Sequence, residues 1–583
     1  PTAEHSVSIT LPDGRVEVFD LAITPGSSPI VPFPPFANRG RFEPRPGTRG
    51  TLRTLENDFL TVLDPQPGPV NFLDDSSNEV FDPDLFLYVT EDGTTFTISE
   101  RDGLREVVDP NGNSLQINDD GITHSSGASV LFSRDESRRI EAVTDALGNA
   151  QFYRYDSNGD LVAHTDREGN VTRFFYDSRH NLIRIEDPEG NVPLRNVYDD
   201  AGRLVRQIDA DGNEVLFEHD LAARQEVVTD RTGAVSVYEY DEFGNVVSES
   251  DALGNTTRST YDARGNLATR VDPLGNEWLF SHDESGRPTR RTDPLGNTTT
   301  WIYDESGNLL SSTSPSGATT EYTYDTRGNL LSETDALGNV RRHTYDAQGN
   351  LLLLEDRNGN AMEMRYDASG FLVERLLPSG ATELRDLDDA GKVLSIQYQW
   401  MVDGEPRTQQ WQFSYDANGN EVSVTDPASG AAFATEYDGN SRPSGGTTST
   451  GRYWSAQRSA RGDLVAVADE AGFGYQAVHD VEGRPTAVTG SGLATLNQAY
   501  DAVGNPVELR LPGGDAATSE YDALNREVAR VDPAGERDEF DYDALGRLTV
   551  ATTASGGTLR RDFDEEGNIV RGESLAGGEY RYE

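Results

Sequence analysis

Short runs of alternating apolar and polar residues fill most of this chain, and turn residues interrupt them at a fixed interval. Between Thr292 and Tyr345 the sequence reads TDPLGNTTTWIYDESGNLLSSTSPSGATTEYTYDTRGNLLSETDALGNVRRHTY. Runs such as Thr298–Tyr303 (TTTWIY) and Leu309–Thr313 (LLSST) are rich in β-branched and aromatic residues, which favour strands. Two punctuation motifs separate them. One is Tyr-Asp-x-x-Gly-Asn-Leu (Tyr303 to Leu309, Tyr324 to Leu330). The other is Asp-Pro/Ala-Leu-Gly-Asn (Asp293 to Asn297, Asp335 to Asn339). Both have the form Asp-x-x-Gly. An Asp at the first position of a type I turn bonds the backbone ahead of it, Pro suits the second, and a left-handed Gly at the fourth closes a hairpin through a G1 bulge.

Each motif returns about every 21 residues, which marks a repeat architecture. Two turns of about four residues leave two strands of roughly six or seven, a typical length. One unit is therefore one β-hairpin, and the repeat positions Tyr303, Asp304, Gly307, Tyr324, Asp325, Gly328, Tyr345, Asp346 and Gly349 serve the hairpin rather than chemistry. Some 20 units give on the order of 40 strands and a strip about 190 Å long. Twist of one hand along such a strip forces it to coil. The pattern predicts an all-β fold: a long antiparallel meander of about 20 hairpin repeats coiled into a spiral β-sheet or hollow shell. Closed as one ring, the strip is about 60 Å across, and it is narrower if spiralled.

The chain divides into residues 1–125 and 126–583. In the first region a hairpin is expected from Ser6–Ile9 and Arg15–Ile23, then a proline-dense loop over 25–35, then strands near Leu85–Val89, Thr94–Ile98 and Leu104–Val108. This reads as a β-rich cap covering the first edge of the repeat, which is otherwise open to pairing. In the second region Tyr holds the repeat position most often, with His219, His282, His479 and Phe563 in its place elsewhere, and Leu387 and Arg458 the weakest copies. Seven extra residues lie around 397–407 (QYQWMVDGEPR), a longer or projecting hairpin, and residues 441–514 contain degenerate copies. The chain opens at Pro1 and closes at Glu583 within another repeat, so both ends read as cut from something larger.

Composition narrows the partners. With 100 acidic against 50 basic residues the net charge is −50, and Lys392 is the single lysine. Such a surface is unsuited to nucleic acid, whose phosphates require cations, and to anionic membranes. It suits a saline environment, a basic partner or divalent cations. No run approaches the ~20 apolar residues of a spanning helix, so no membrane insertion is expected. Cysteine is absent, which removes disulfides, thiolate zinc sites and cysteine nucleophiles.

The Tyr-Asp-x-x-Gly units resemble the Rhs/YD-repeat family over about three quarters of the chain. That family includes bacterial Rhs polymorphic toxins, shell components of Tc insecticidal toxin complexes and the teneurins. The resemblance implies a spiralling sheet that wraps a cocoon around a toxic C-terminal domain, or an extracellular adhesion barrel. It also implies a secreted or cell-surface protein whose partner is a cargo or effector domain of the same larger polypeptide, or a surface receptor. Self-processing members carry aspartates in a core motif after the repeats. No such segment precedes Glu583, and Asp532-Pro-Ala-Gly535 is only a repeat turn. The expected role is a non-enzymatic shell segment, with teneurin-like adhesion to cells or glycans as the alternative.

Other chemistry is weakly signalled. Asp304, Asp325 and Asp346 line one sheet edge and are the candidates for Ca²⁺, although turn capping alone explains them. With so many acids, carboxylate pairs at glycosidase spacing arise without a dedicated cleft. The eight histidines form no ligand-spaced pair or triad, and those in the Tyr position read as aromatic packing. Phosphate-loop and dinucleotide fingerprints are absent. Trp278, Trp301, Trp400 and Trp411 read as strand packing before sugar stacking. No catalytic residue and no cofactor are expected.

Overall fold

The structure is a computed structural model that describes residues 6–11, 14–24, 38–45, 47–62, 72–77, 79–426 and 428–581. It is all-β, with no helix among the described residues, and its 54 strands join in one antiparallel sheet. Through the repeats every strand pairs with its sequence neighbours: Thr298–Tyr303 with Leu309–Thr313, that strand with Thr319–Tyr324, and so on. The coiled meander expected from the punctuation is therefore what forms.

The two motifs build related turns with one difference. In both, the Gly N–H donates to the Asp carbonyl, and the Asp N–H donates to the carbonyl of the residue after Gly. Gly296 and Gly307 take φ of 89° and 90°, the left-handed conformation that costs other residues ~1–2 kcal/mol. Only the Tyr-Asp hairpins are bulged: Ile302 faces Ser311 but Tyr303 faces Leu309, so Leu310 is skipped. Where the turn glycine is replaced, His180, Ser441 and Asn525 keep positive φ. Each uses its side chain to bond the turn one repeat back, at Asp160, Asn420 and Asn505 respectively.

The first strands differ in holding a core of their own. Ser6–Thr10 pairs with Val16–Thr24, and that strand with Asn38–Pro44. Thr51–Thr54 then carries the sheet to Leu85–Val89, Thr95–Ser99 and Gly103–Val108. Phe19, Leu52, Phe86 and Tyr88 are buried together, with Val7, Ile9, Phe42 and Ile98 packed around them. Glu17, also buried, ties this core together: its carboxylate accepts bonds from the Tyr88 hydroxyl (2.9 Å) and the Gly50 N–H (3.1 Å). Burial and that carboxylate push the Tyr88 phenol well above its ordinary range. The proline-dense segment 25–35 lies outside the described residues.

The repeat region is one sheet thick. Along Thr319–Tyr324, Glu321 and Thr323 are exposed whereas Tyr322 and Tyr324 are half-buried, so one face is shielded without a second layer. The sheet stays open, and its successive windings meet turn against turn. Asn418 accepts a bond from the Arg167 N–H (3.0 Å) and donates to Asp166 (2.7 Å). Gly439 meets Glu189, Arg231 meets Glu482, and Ser316 meets Glu566 in the same way. These partners lie 249–253 residues apart. From Val171–Tyr176 through Glu405–Tyr415, 23 strands separate facing turns. The same number, from Ser114–Asn118 through Val340–Tyr345, separates Asn113 from its partner Gln348, although that lag is 235 residues. From that turn onward the strand count, not the residue count, is constant; nearer the first strands it is smaller, 19 between Glu91 and Ser285, and Asn111 also bonds Asn329 across 21.

This is the narrower, spiralled case. Twenty-three strands at ~4.8 Å give a circumference of about 110 Å and a backbone diameter of about 35 Å, or about 45 Å with the tilt usual in barrels. The strip makes about two windings instead of one 60 Å ring.

Candidate functional site

The repeating site of this wall is the Tyr-Asp turn together with the strand before it. Its aspartate is consumed by the turn. Asp304 accepts the Asn308 N–H (2.8 Å) on one oxygen and the Asn308 side-chain amide (2.9 Å) on the other. Asp325 does the same with Asn329 (2.9 and 2.8 Å), and Asp346 with Asn350 (both 2.9 Å). Partial burial opposes ionisation of all three. The bonds from the asparagine side chain and backbone outweigh it and hold each carboxyl below the usual carboxylate range. Among the described residues no group of three or more His, Asp or Glu side chains is arranged to hold a metal ion.

In several repeats arginine replaces that asparagine and changes the chemistry. Arg287 bonds Asp283 through Nε (2.7 Å) and stands over the Tyr303 ring at 5.2 Å. Arg526 and Arg547 repeat the arrangement with Tyr542 and Phe563. Lys392 takes the same place over Tyr415.

The tyrosine does more than fill the sheet. Tyr324 donates its hydroxyl to the Leu309 carbonyl at 3.0 Å. Tyr155, Tyr261, Tyr366, Tyr500 and Tyr542 reach the equivalent carbonyl, 15 residues back. That carbonyl belongs to the residue at the preceding bulge, where the ladder is irregular. Each tyrosine therefore staples its own hairpin to the previous one. Among the histidines at this position, His219 does the same, placing Nε2 2.8 Å from the Leu204 carbonyl. Arg458 likewise points a guanidinium nitrogen at the Pro443 carbonyl, at 3.5 Å. A signal for the staple was present in the sequence, because most replacements at this position are themselves donors.

The remaining candidates are dispersed. Trp278, Trp301, Trp400 and Trp411 are all half-buried. His343 stacks on Tyr345, and burial lowers its pKa. Glu383 is 1% exposed and is clamped by Arg375 and Arg385. Burial opposes its ionisation, and the two arginines reverse that and lower its pKa. The strands Val393–Val402 and Glu405–Tyr415 are ten and eleven residues long, against at most seven elsewhere in the repeats. They project as a hairpin with Met401 and Val402 exposed at its end. An apolar hollow of about 450 Å³ lies between Ile9, Leu21, Phe42 and Phe86. A polar gap of about 870 Å³ opens at the seam near Asn113, His124, Asn350 and Asp367. In the second, His124 Nδ1 lies 2.8 Å from the Ser126 hydroxyl, a contact within one turn, and no hydrogen bond to a carboxylate orients the ring among the described residues.

Comparison with known proteins agrees with this geometry. The RHS Repeat family profile matches nine stretches: 155–192, 198–235, 225–256, 240–277, 261–298, 282–320, 303–340, 324–361 and 500–537. No curated protein matches by sequence. Among solved structures, TcdB2-TccC3 without its hypervariable C-terminal region superposes with a TM-score of 0.52 at 14% identity, over 87% of this chain and 37% of that one. A TcdB2-TccC3-TEV structure matches over 98% of this chain and 38% of that one, at TM-score 0.48 and 14% identity. The Photorhabdus luminescens Tc holotoxin pore with the TccC3 D651A mutation matches over 90% and 35%, at TM-score 0.42 and 12% identity. The chain thus spans little more than a third of the length of these proteins.

Proposed function

This chain is an RHS/YD-repeat protein, and on that premise we propose that it is a segment of a secreted or cell-surface shell enclosing or presenting an effector that belongs to the same larger polypeptide. A shell or scaffold role is what RHS repeats on this fold support, and the wall described above is built throughout from structural contacts. The observation that carries the proposal is the bonded seam. A meander that only twisted would leave its windings apart, whereas turns bonded 23 strands apart hold successive windings edge to edge, which supports a wall coiled around a space.

The width of that space limits the cargo. Subtracting about 5 Å of side chain on each side leaves a lumen of roughly 25–35 Å. A folded 100-residue domain is about 34 Å wide, so it fills the lumen completely. Anything larger is held extended, or in a wider part of the shell.

The test is a density map of the intact polypeptide combined with limited proteolysis. The expected result is a hollow wall, density inside it, and a cargo segment that resists protease until the wall is unfolded. A flat sheet, a solid-cored barrel, or a cargo cleaved as fast as in isolation would overturn the proposal.

A further inference from the structure

We propose that the third residue of each Tyr-Asp-type turn is a key that fixes which turn of the previous winding it faces, and so sets the number of strands per winding. The inference rests on the shell reading only for its consequence, the lumen width. The register itself is measured without any cargo.

The facing turns are chemically matched, pair by pair. Arg461, third in Ser459-Ala-Arg-Gly462, lies against two carboxylates of the earlier turn, 3.6 Å from Asp209 and 3.1 Å from Asp211. Glu482, third in Asp480-Val-Glu-Gly483, receives the Arg231 N–H at 2.8 Å and its guanidinium at 3.1 Å. Glu566, third in its turn, accepts from the Ser316 N–H at 2.8 Å. Where the earlier turn is apolar, the same lag of 250 residues sets Val503, Leu524 and Leu545 opposite Leu253, Leu274 and Leu295. Those three earlier leucines are 52%, 48% and 49% exposed. Leu337, at the same position of a turn with no facing turn among the described residues, is 88% exposed.

Coiling alone cannot choose the register sharply. Slipping by one hairpin changes the circumference by ~9.6 Å in about 110 Å, a small change of curvature spread over every strand. The keys discriminate strongly. Shortening the winding by one hairpin places Arg461 on Arg231, and lengthening it places Glu482 on Asp209 and Asp211. Each slip sets like charges together in a half-desolvated seam, where such juxtaposition is costly. Arg461 is 14% exposed and Asp209 6%, so water screens little of that repulsion. The Val393–Tyr415 hairpin fits the same rule. Its extra residues project from the wall, and the seam beyond it keeps 23 strands per winding.

The absence of cysteine makes the register directly measurable. Ser316→Cys with Glu566→Cys reports the native seam, and Ser316→Cys with Leu545→Cys reports a winding shortened by one hairpin. Both pairs are treated with a thiol-reactive bis-halide, each thiolate displacing one halide to form a thioether, whose reach is about one strand spacing, ~5 Å, too short to bridge neighbouring turns. In the natural background only the first pair should couple. Exchanging the keys, Arg461→Glu with Glu482→Arg, repels both native partners and matches the shortened register, where residue 461 meets Arg231. Native coupling should fall at least about tenfold and the second pair should couple instead. Adding Asp209→Arg, Asp211→Arg and Arg231→Glu should restore native coupling, which separates loss of register from loss of folding. Native coupling unchanged by the exchange, coupling of the second pair in the natural background, or failure of the compensating set to restore it overturns the proposal.

Discussion

Removing a single oxygen from Tyr324 isolates the staple between hairpins. Tyr324→Phe keeps the ring against the sheet and deletes the bond to the Leu309 carbonyl, 3.0 Å away. A hydrogen bond of this kind contributes about 1 kcal/mol net. Because each repeat contacts mainly its neighbours, that loss falls on one stretch of the wall, and a global melting temperature registers it poorly. The suitable assay is amide hydrogen exchange resolved by peptide. About 1 kcal/mol raises local opening about fivefold, so peptides covering Thr298–Tyr303, Leu309–Thr313 and Thr319–Tyr324 should exchange about five times faster. Peptides from the distant hairpin Ala516–Tyr521 and Glu527–Val531 should be unchanged. Tyr324→His supplies a donor of the type His219 uses and should recover much of the protection. If the Phe variant exchanges like the parent, or if His is no better than Phe, the tyrosine is only a packing residue and the staple argument fails.

Three further outcomes follow from the turns. Gly338 has φ of 82° and open space around its Cα, so Gly338→Ala should loosen the Leu330–Thr334/Val340–Tyr345 hairpin by about 1–2 kcal/mol. Gly338→Asn should cost less, as peptide-resolved exchange will show; equal exchange in all three proteins would refute the left-handed requirement. Asp335 is held below its ordinary pKa chiefly by the Asn339 side chain. A depressed pKa contributes stability above the unfolded value of about 3.9 and loses it as pH falls through the folded value. The protection difference between the parent and Asp335→Asn should therefore be constant from neutral pH down to about 5 and shrink below about 4; a difference that persists there counts against the assignment. Since the oxygens of Asp304, Asp325 and Asp346 are already bonded, chelation at fixed ionic strength should leave melting unchanged. A stabilisation specific to Ca²⁺ over Mg²⁺ would contradict that.

Much of the wall was legible because its information is local. Asp304 and Gly307 specify a turn whatever surrounds them, and the runs between turns can only be strands of one length. The tyrosine staple was half legible. The spacing marked the position, but its partner carbonyl exists only because the bulge at Tyr303 and Leu309 displaces the ladder. The buried Glu17 was not legible at all. Its partners come from elsewhere in the chain, Gly50 from a bend and Tyr88 from another strand, and an isolated Glu in a strand gives no sign of being enclosed.

What the sequence determined by itself was the hairpin, its period, the coiling of the strip and the acidity of its surface. Each follows from turn chemistry, strand pattern or composition within a few tens of residues. Only the tertiary structure decided the width of the coil, because that depends on which turns meet some 250 residues apart. One hairpin more or less per winding leaves every local pattern intact. The choice of 23 strands is visible only where distant turns meet, as where Arg461 reaches Asp211 and Arg231 reaches Glu482.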